Sequence, residues 1–261
     1  MPAQHALRTD RIRTLIFLRK KSSISYEEFD QYWLQVHSKV FANYVEGKRG
    51  ILKYEQMHIN LAEKAKLKGL GLAVLEGYDG VALFDLNSFD DSSALWSTDE
   101  YFSVVLPDEE KFIDRATSLV FRFDLATIVD SVAIPSYDIR KDTARMLVLV
   151  ARREGRSMAE FTESVLSEHA RILCEDTQMG MEITKYEQLH LAFPLEPIKT
   201  LDELSSVPRE WDEVEIIDAC SYDPLFRLHK TFANDSAALG GTYLLPVNVA
   251  TIIDKDAHYS V

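Results

Sequence analysis

The chain repeats itself. Ser25, Glu28, Phe29 and His37 recur 132 positions later as Ser157, Glu160, Phe161 and His169, with Val165 in the place of Trp33. Lys53, Tyr54, Glu55, Gln56 and His58 recur at the same interval as Lys185, Tyr186, Glu187, Gln188 and His190, and Arg13 recurs as Arg145. The run 81–84 returns as 214–217 at an interval of 133, and 125–130 returns as 249–254 at 124, so the second half is shorter around its second helix. One such match could be chance. Four in the same order mean that both halves adopt one fold.

Each half opens its first helix with Ser-x-x-Glu before an apolar residue, the signature of a capping box. Phe29, Trp33 and His37 are spaced four apart and share one helix face, as do Phe161, Val165 and His169. Each histidine thus ends an apolar stripe that points toward a sheet. Residues 14–18, 51–59, 80–86 and 125–130 read as strands. A helix is expected over 25–44, and broken helix over 91–116, interrupted at Pro107. The second half reads likewise, with strands at 145–150, 185–190, 214–217 and 249–254 and helices at 157–175 and 224–235. The order is βαββαβ, the ferredoxin-like unit. Such a sheet carries helices on one face and needs a cover for the other. The expected fold class is α+β: two ferredoxin-like βαββαβ repeats packed sheet-to-sheet as an intramolecular pseudo-dimeric α+β barrel. The expected division is an arm at 1–12, repeats at 13–130 and 145–254, a linker at 131–144 and a tail at 255–261. The long connections 61–77 and 193–210 are candidate lids.

Composition narrows the partners. Against 29 Lys and Arg stand 42 Asp and Glu, a net charge of −13, which repels nucleic acid and anionic membrane surfaces. No apolar run is long enough to span a bilayer, and the N-terminus lacks the pattern of a secretion signal. Cys174 and Cys220 have no metal-like spacing and read as reduced thiols of a cytoplasmic protein. No phosphate-binding glycine loop, nucleophile elbow or His-Glu-x-x-His occurs, and neither a metal nor a cofactor is expected.

Phe29, Tyr32, Trp33 and His37 resemble the Phe-x-x-Tyr-Trp…His signature of the EthD-like proteins, a family of the dimeric α+β barrel superfamily. Tyr54, Gln56 and His58 resemble its second-strand pattern. In the second half Phe161, His169, Tyr186, Gln188 and His190 match, but Val165 and Ser164 replace the tryptophan and tyrosine. That half reads as a degenerate copy with a reshaped or closed pocket. The resemblance implies a cavity between sheet and helices. It also implies small aromatic substrates: related proteins act on polyketides without cofactors as decarboxylases, dehydratases or cyclases, and other barrel relatives are lactone isomerases, oxygenases or haem proteins.

His37, His58 and Tyr54 are the candidate catalytic residues. An imidazole near neutral pKa at a cavity rim can take a proton from a phenol or an activated carbon. A helix histidine can equally staple helix to sheet. Gln56, Tyr32, Trp33, His169, Tyr186, Gln188 and His190 are candidate substrate-binding residues. Tyr54, Gln56 and His58 alternate on a strand and share a face, suited to a wet cavity. The other reading turns that face to water, with Lys53, Glu55 and Met57 inward. Tyr32 and Trp33 could wall the pocket mouth or belong to the core. Arg19, Lys20 and Lys21, like Arg152 and Arg153, follow a first strand and suit a solvated turn better than an anion site. Asp79 and Asp212 read as turn residues, and Trp96 and Trp211 as packing.

The expected function is a cofactor-free lyase or cyclase on a small aromatic or polyketide-derived substrate, working by histidine-mediated proton transfer. The alternatives are a non-catalytic ligand-binding or stress-related barrel, and a cofactor-free or haem-dependent oxygenase. One chain should form the whole barrel, with further homodimerisation left open.

Overall fold

The computed structural model describes residues 7–46, 48, 50–129, 139, 143–175, 181–191, 211–235 and 239–255. The strands are β1 (Ile12–Leu18), β2 (Ile51–Ile59), β3 (Gly80–Leu86), β4 (Leu119–Val129), β5 (Ala144–Arg152), β6 (Ile183–Leu191), β7 (Glu213–Ala219) and β8 (Leu239–Asp254). The helices are α1 (Tyr26–Tyr32), α2 (Ser38–Val45), α3 (Leu61–Gly69), α4 (Phe89–Leu95), α5 (Leu106–Glu109), α6 (Met158–Glu175) and α7 (Tyr222–Asp235). A π-helical turn over Trp33–His37 joins α1 to α2, and another over Tyr101–Val105 leads into α5.

All eight strands close into one antiparallel barrel in the order β1-β3-β2-β8-β5-β7-β6-β4. Read from its edge, the first half runs β4-β1-β3-β2 and the second β8-β5-β7-β6, the same order. The expected α+β barrel is found. The two sheets meet edge to edge, β2 pairing with β8 and β4 with β6. An open edge presents unpaired backbone donors and acceptors, and joining the edges removes all four.

Odd-numbered residues of β1, β2 and β6 point into the barrel. Leu15, Phe17, Met57, Ile59, Leu147, Leu149, Leu189 and Leu191 fill its apolar part, and Trp211 packs there against Phe17 and Phe121. The other end is ionic. Arg13 donates to Asp85 at 2.6 and 2.7 Å and also to Glu187. Arg145 donates to Asp218 at 2.6 and 2.7 Å and to Glu55 at 2.5 Å. Lys53 pairs with Asp254 at 2.9 Å and Lys185 with Glu187 at 3.0 Å.

Even-numbered residues of β2 and β6 face the helices instead. Phe29, Trp33, Phe41 and Tyr44 pack on Tyr54, Ala82 and Phe84 in the first half. Phe161, Val165, Leu225 and Leu228 pack on Tyr186, Ile217 and Val148 in the second. Ser25 forms the expected capping box with Glu28.

Some expectations shift. Residues 61–77 are not a free connection: α3 occupies 61–69, Leu67 is buried against the second half, and Val74 bridges Leu244. The segment is docked by its apolar side chains rather than poised over the first repeat. Strands β4 and β8 are longer than expected because both pair across the seam. Residues 193–210 and most of the linker lie outside the described residues. Asp79 and Asp212 do close turns, each accepting a backbone N–H at 2.9 Å, from Lys20 and Arg152 respectively. Among the described residues no helix is long and apolar enough to cross a membrane.

Candidate active site

The first-half layer between helices and sheet holds a small hollow. It is lined by Ile16, Leu18, Trp33, His37, Phe41, Tyr54, Ala82, Phe84, Trp96, Glu109 and Ile113 and offers about 20 Å³, room for one water-sized molecule. The walls are mostly aromatic and aliphatic. Three groups bring polarity to it.

The π-helical turn delivers the first, His37. The extra residue in such a turn shifts the side chains that follow, a common device at functional sites. His37 Nδ1 lies 2.9 Å from Asp108 Oδ2. Tyr32 also donates to Asp108, and Lys111 pairs with it at 3.2 Å. Burial resists the Asp108 charge, but the hydrogen bonds from His37 and Tyr32 win and hold its pKa at about 2. A carboxylate can only accept, so Nδ1 carries a proton, and in the neutral ring the lone pair lies on Nε2.

Tyr54 is the second. Its oxygen accepts from Gln56 Nε2 at 3.0 Å and from Trp33 Nε1 at 3.3 Å. Both contacts are donated to it, so its own proton points elsewhere. The third is Glu109, which accepts from Tyr101 at 2.9 Å and from Arg115. Burial raises its pKa against the pull of His37 and Arg115.

Beyond Trp33 lies an open cleft of about 300 Å³, lined by Tyr26, Glu27, Asp30, Gln31, His58, Asn60 and Asn248 among others. His58 stacks on Trp33 with ring centres 4.5 Å apart. Its Nδ1 meets Asp30 at 2.6 Å and its Nε2 meets Gln56 Oε1 at 3.2 Å. Gln56 spends its amide protons on Trp33 O and Tyr54 Oη, so its oxygen must face His58. Both nitrogens of His58 therefore face acceptors. His58 is anchored on both sides, and His37 is the ring with a spare lone pair.

Trp33 is 1% exposed and belongs to the core, while Tyr32 is half-buried and bonded to Asp108. Gly80 makes room for the indole: a Cβ on it would meet the Trp33 ring at 2.5 Å.

The second half keeps the pattern and changes the chemistry. Gln188 donates to Val165 O at 3.0 Å and to Tyr186 at 2.7 Å, as Gln56 does to Trp33 and Tyr54. Tyr186 gives its own proton to Glu215 at 2.8 Å, and His169 bonds the same carboxylate. His190 faces Glu213 at 3.2 Å. By strand register Glu213 and Glu215 stand opposite His190 and Gln188, where Gly80 and Ala82 stand opposite His58 and Gln56.

All the sequence-chosen residues therefore lie between helices and barrel, buried or half-buried, in two separate groups of one per repeat. Sequence reasoning missed Asp30, Asp108, Glu109, Glu213 and Glu215. The last two alternate on a strand opposite Tyr186, Gln188 and His190, a signal available in the sequence. Asp108 and Glu109 carried none, since a helix end 71 residues from His37 supplies them.

Residues 21–116 match the model of the EthD domain. That stretch of the first half is thus similar to an EthD domain. By sequence, no curated protein matches the chain. By structure, the chain resembles an anthrone oxidase-like protein at 10% identity and a TM-score of 0.57, with 96% of each chain covered. It also resembles a candidate monooxygenase from Lactobacillus acidophilus NCFM at 8% identity and 0.54, covering 94% of this chain and 97% of that one. A candidate chlorite dismutase matches at 7% and 0.55, covering 93% and 95%. At these identities the likeness is one of fold alone. It corrects the expected lyase or cyclase: the three barrels named here bear the names of oxygen or oxidation chemistry.

Proposed function

We propose that the chain is an oxygenase-type enzyme for a small aromatic molecule, with its reactive site in the EthD half. The observation that carries this is the Asp108–His37 pair. It sets an imidazole with a spare lone pair against an aromatic-walled hollow, beside a tyrosine whose proton is uncommitted. An aromatic substrate with an acidic phenol or benzylic C–H would lose a proton to His37. The electron-rich anion would then react with dioxygen. For a methylene between two rings the balance is simple: one oxygen atom becomes the new carbonyl and the other leaves as water with the two hydrogens. Tyr54 would donate to the substrate oxygen, and Trp33, Phe41 and Trp96 would flank its rings. In the described form the hollow takes only a water-sized molecule, so the aromatic wall must part to admit substrate. Trp96, half-buried at the end of α4, is the wall residue with least cover. The similar fold of an anthrone oxidase-like protein makes anthrone a reasonable first probe.

The same reading divides the chain into ferredoxin-like repeats at 13–130 and 145–254. The shared strand order supports this. Dioxygen uptake with anthrone, followed against a His37→Ala variant, tests the function. Uptake that depends on His37 supports it. Tight binding of aromatic probes without uptake would favour the non-catalytic ligand-binding barrel.

A further inference from the structure

The second repeat has replaced its acids rather than lost them. In the first repeat both histidines are held by carboxylates from helices, His58 by Asp30 of α1 and His37 by Asp108 of α5. The position equivalent to Asp30 is Thr162. Yet His190 and His169 still face carboxylates, now Glu213 and Glu215 of β7. A decaying copy would lose such partners. Here they return from a different element, with Val165 in place of the indole.

The rebuilt face has open valences. Glu213 and Glu215 are 0% exposed and His190 5%. Both oxygens of Glu213, Oε2 of Glu215, Oε1 of Gln188, both ring nitrogens of His190 and Nδ1 of His229 make no hydrogen bond with any described residue. His190 Nδ1 and Glu213 Oε2 pair with each other at 3.2 Å, which leaves five atoms without a partner. Three of these five atoms are carboxylate or amide oxygens. A buried polar atom left without a partner costs about 1–3 kcal/mol, so this many in one place call for a ligand.

We propose that the buried face of the second repeat is a ligand site of its own, for a small cation that donates hydrogen bonds, of the ammonium class. Carboxylate and amide oxygens accept, so the ligand must donate. A bare metal ion fits less well. Among the described residues no three His, Cys, Asp or Glu side chains gather as a metal requires. An ammonium nitrogen reaches its acceptors at ~2.7–2.9 Å rather than the ~2.0–2.2 Å of a zinc ligand, and so spans more widely spaced oxygens. The inference does not depend on the oxygenase reading, which concerns the other repeat.

The test is thermal unfolding of the full chain in ammonium chloride, with sodium chloride and tetramethylammonium chloride at equal ionic strength as controls. The expected result is a saturable rise in Tm with ammonium alone, on the order of 3 °C at tenfold above its Kd. Glu213→Gln and Glu215→Gln should abolish it. Should those variants not fold, ¹⁵N-ammonium NMR of the unaltered chain decides, through a slowly exchanging bound signal. Equal Tm in all three salts with no bound signal would overturn the proposal. So would a rise with zinc chloride and none with ammonium.

Discussion

Arg145 of the second repeat donates to Glu55 of the first at 2.5 Å, at the centre of the barrel's ionic end. Its counterpart Arg13 reaches across to Glu187. Each guanidinium also holds the aspartate of its own repeat, Asp218 or Asp85. All of these side chains are buried, so removing one partner strands an opposing charge away from water. Replacing Arg145 by Met should cost roughly 3–5 kcal/mol. Chemical denaturation measures it, and a loss below about 1 kcal/mol would show the network to be dispensable.

Gly80 and Trp33 form a second coupled pair. Gly80→Ala should destabilise by about 1–3 kcal/mol, because the new methyl has to displace the indole. In a Trp33→Val background, which copies Val165 of the second repeat, the same change should be nearly harmless. A double-mutant cycle reads the coupling, and strict additivity would refute it.

The His37–Asp108 geometry makes a kinetic prediction. Asp108→Asn can donate to Nδ1 and so leaves the wrong nitrogen protonated. Dioxygen uptake should fall by roughly 10²- to 10⁴-fold in either His37→Ala or Asp108→Asn, with the fold intact by circular dichroism. Unchanged turnover in both would remove His37 from the chemistry.

The second repeat should give the protein an alkaline weakness. Burial opposes charge on His169 and His190, but Glu215 and Glu213 outweigh it, with Glu168 and Asp124 adding to the effect, and both pKa values rise. A raised histidine pKa means stabilisation that is complete below the unfolded value of about 6.5 and fades as pH climbs through the folded value. Burial also raises Glu213, which acts in the same direction. Unfolding free energy should thus decline from about pH 6.5 upward, and His169→Gln should flatten the slope. At the acid end Asp108, held at about 2, should release its stabilisation as pH falls below 3.8 toward that value.

The duplicated architecture was legible because apolar periodicity and a fixed interval survive in the sequence. The alternation of Tyr54, Gln56 and His58 showed which residues share a face. It could not show that Lys53, Glu55 and Arg13 pair inside the barrel, since their partners come from the other repeat. Strand β8 was only part-read, because Gly240, Gly241 and Pro246 resemble a turn and only pairing with β2 and β5 makes them strand. The carboxylates behind the histidines escaped for the same reason. They are set by which helix end or strand crosses above, not by local pattern.

The crossed arginines have a consequence for how this chain can change. Each buried guanidinium is shared between an aspartate of its own repeat and a glutamate of the other, so discarding either repeat would strand a buried glutamate in the one that remains. The layer outside the barrel is under no such mutual bond. One copy there carries an indole against a glycine, and the other carries two glutamates. A shared interior that tolerates no drift is what leaves the two outer faces free to become different sites.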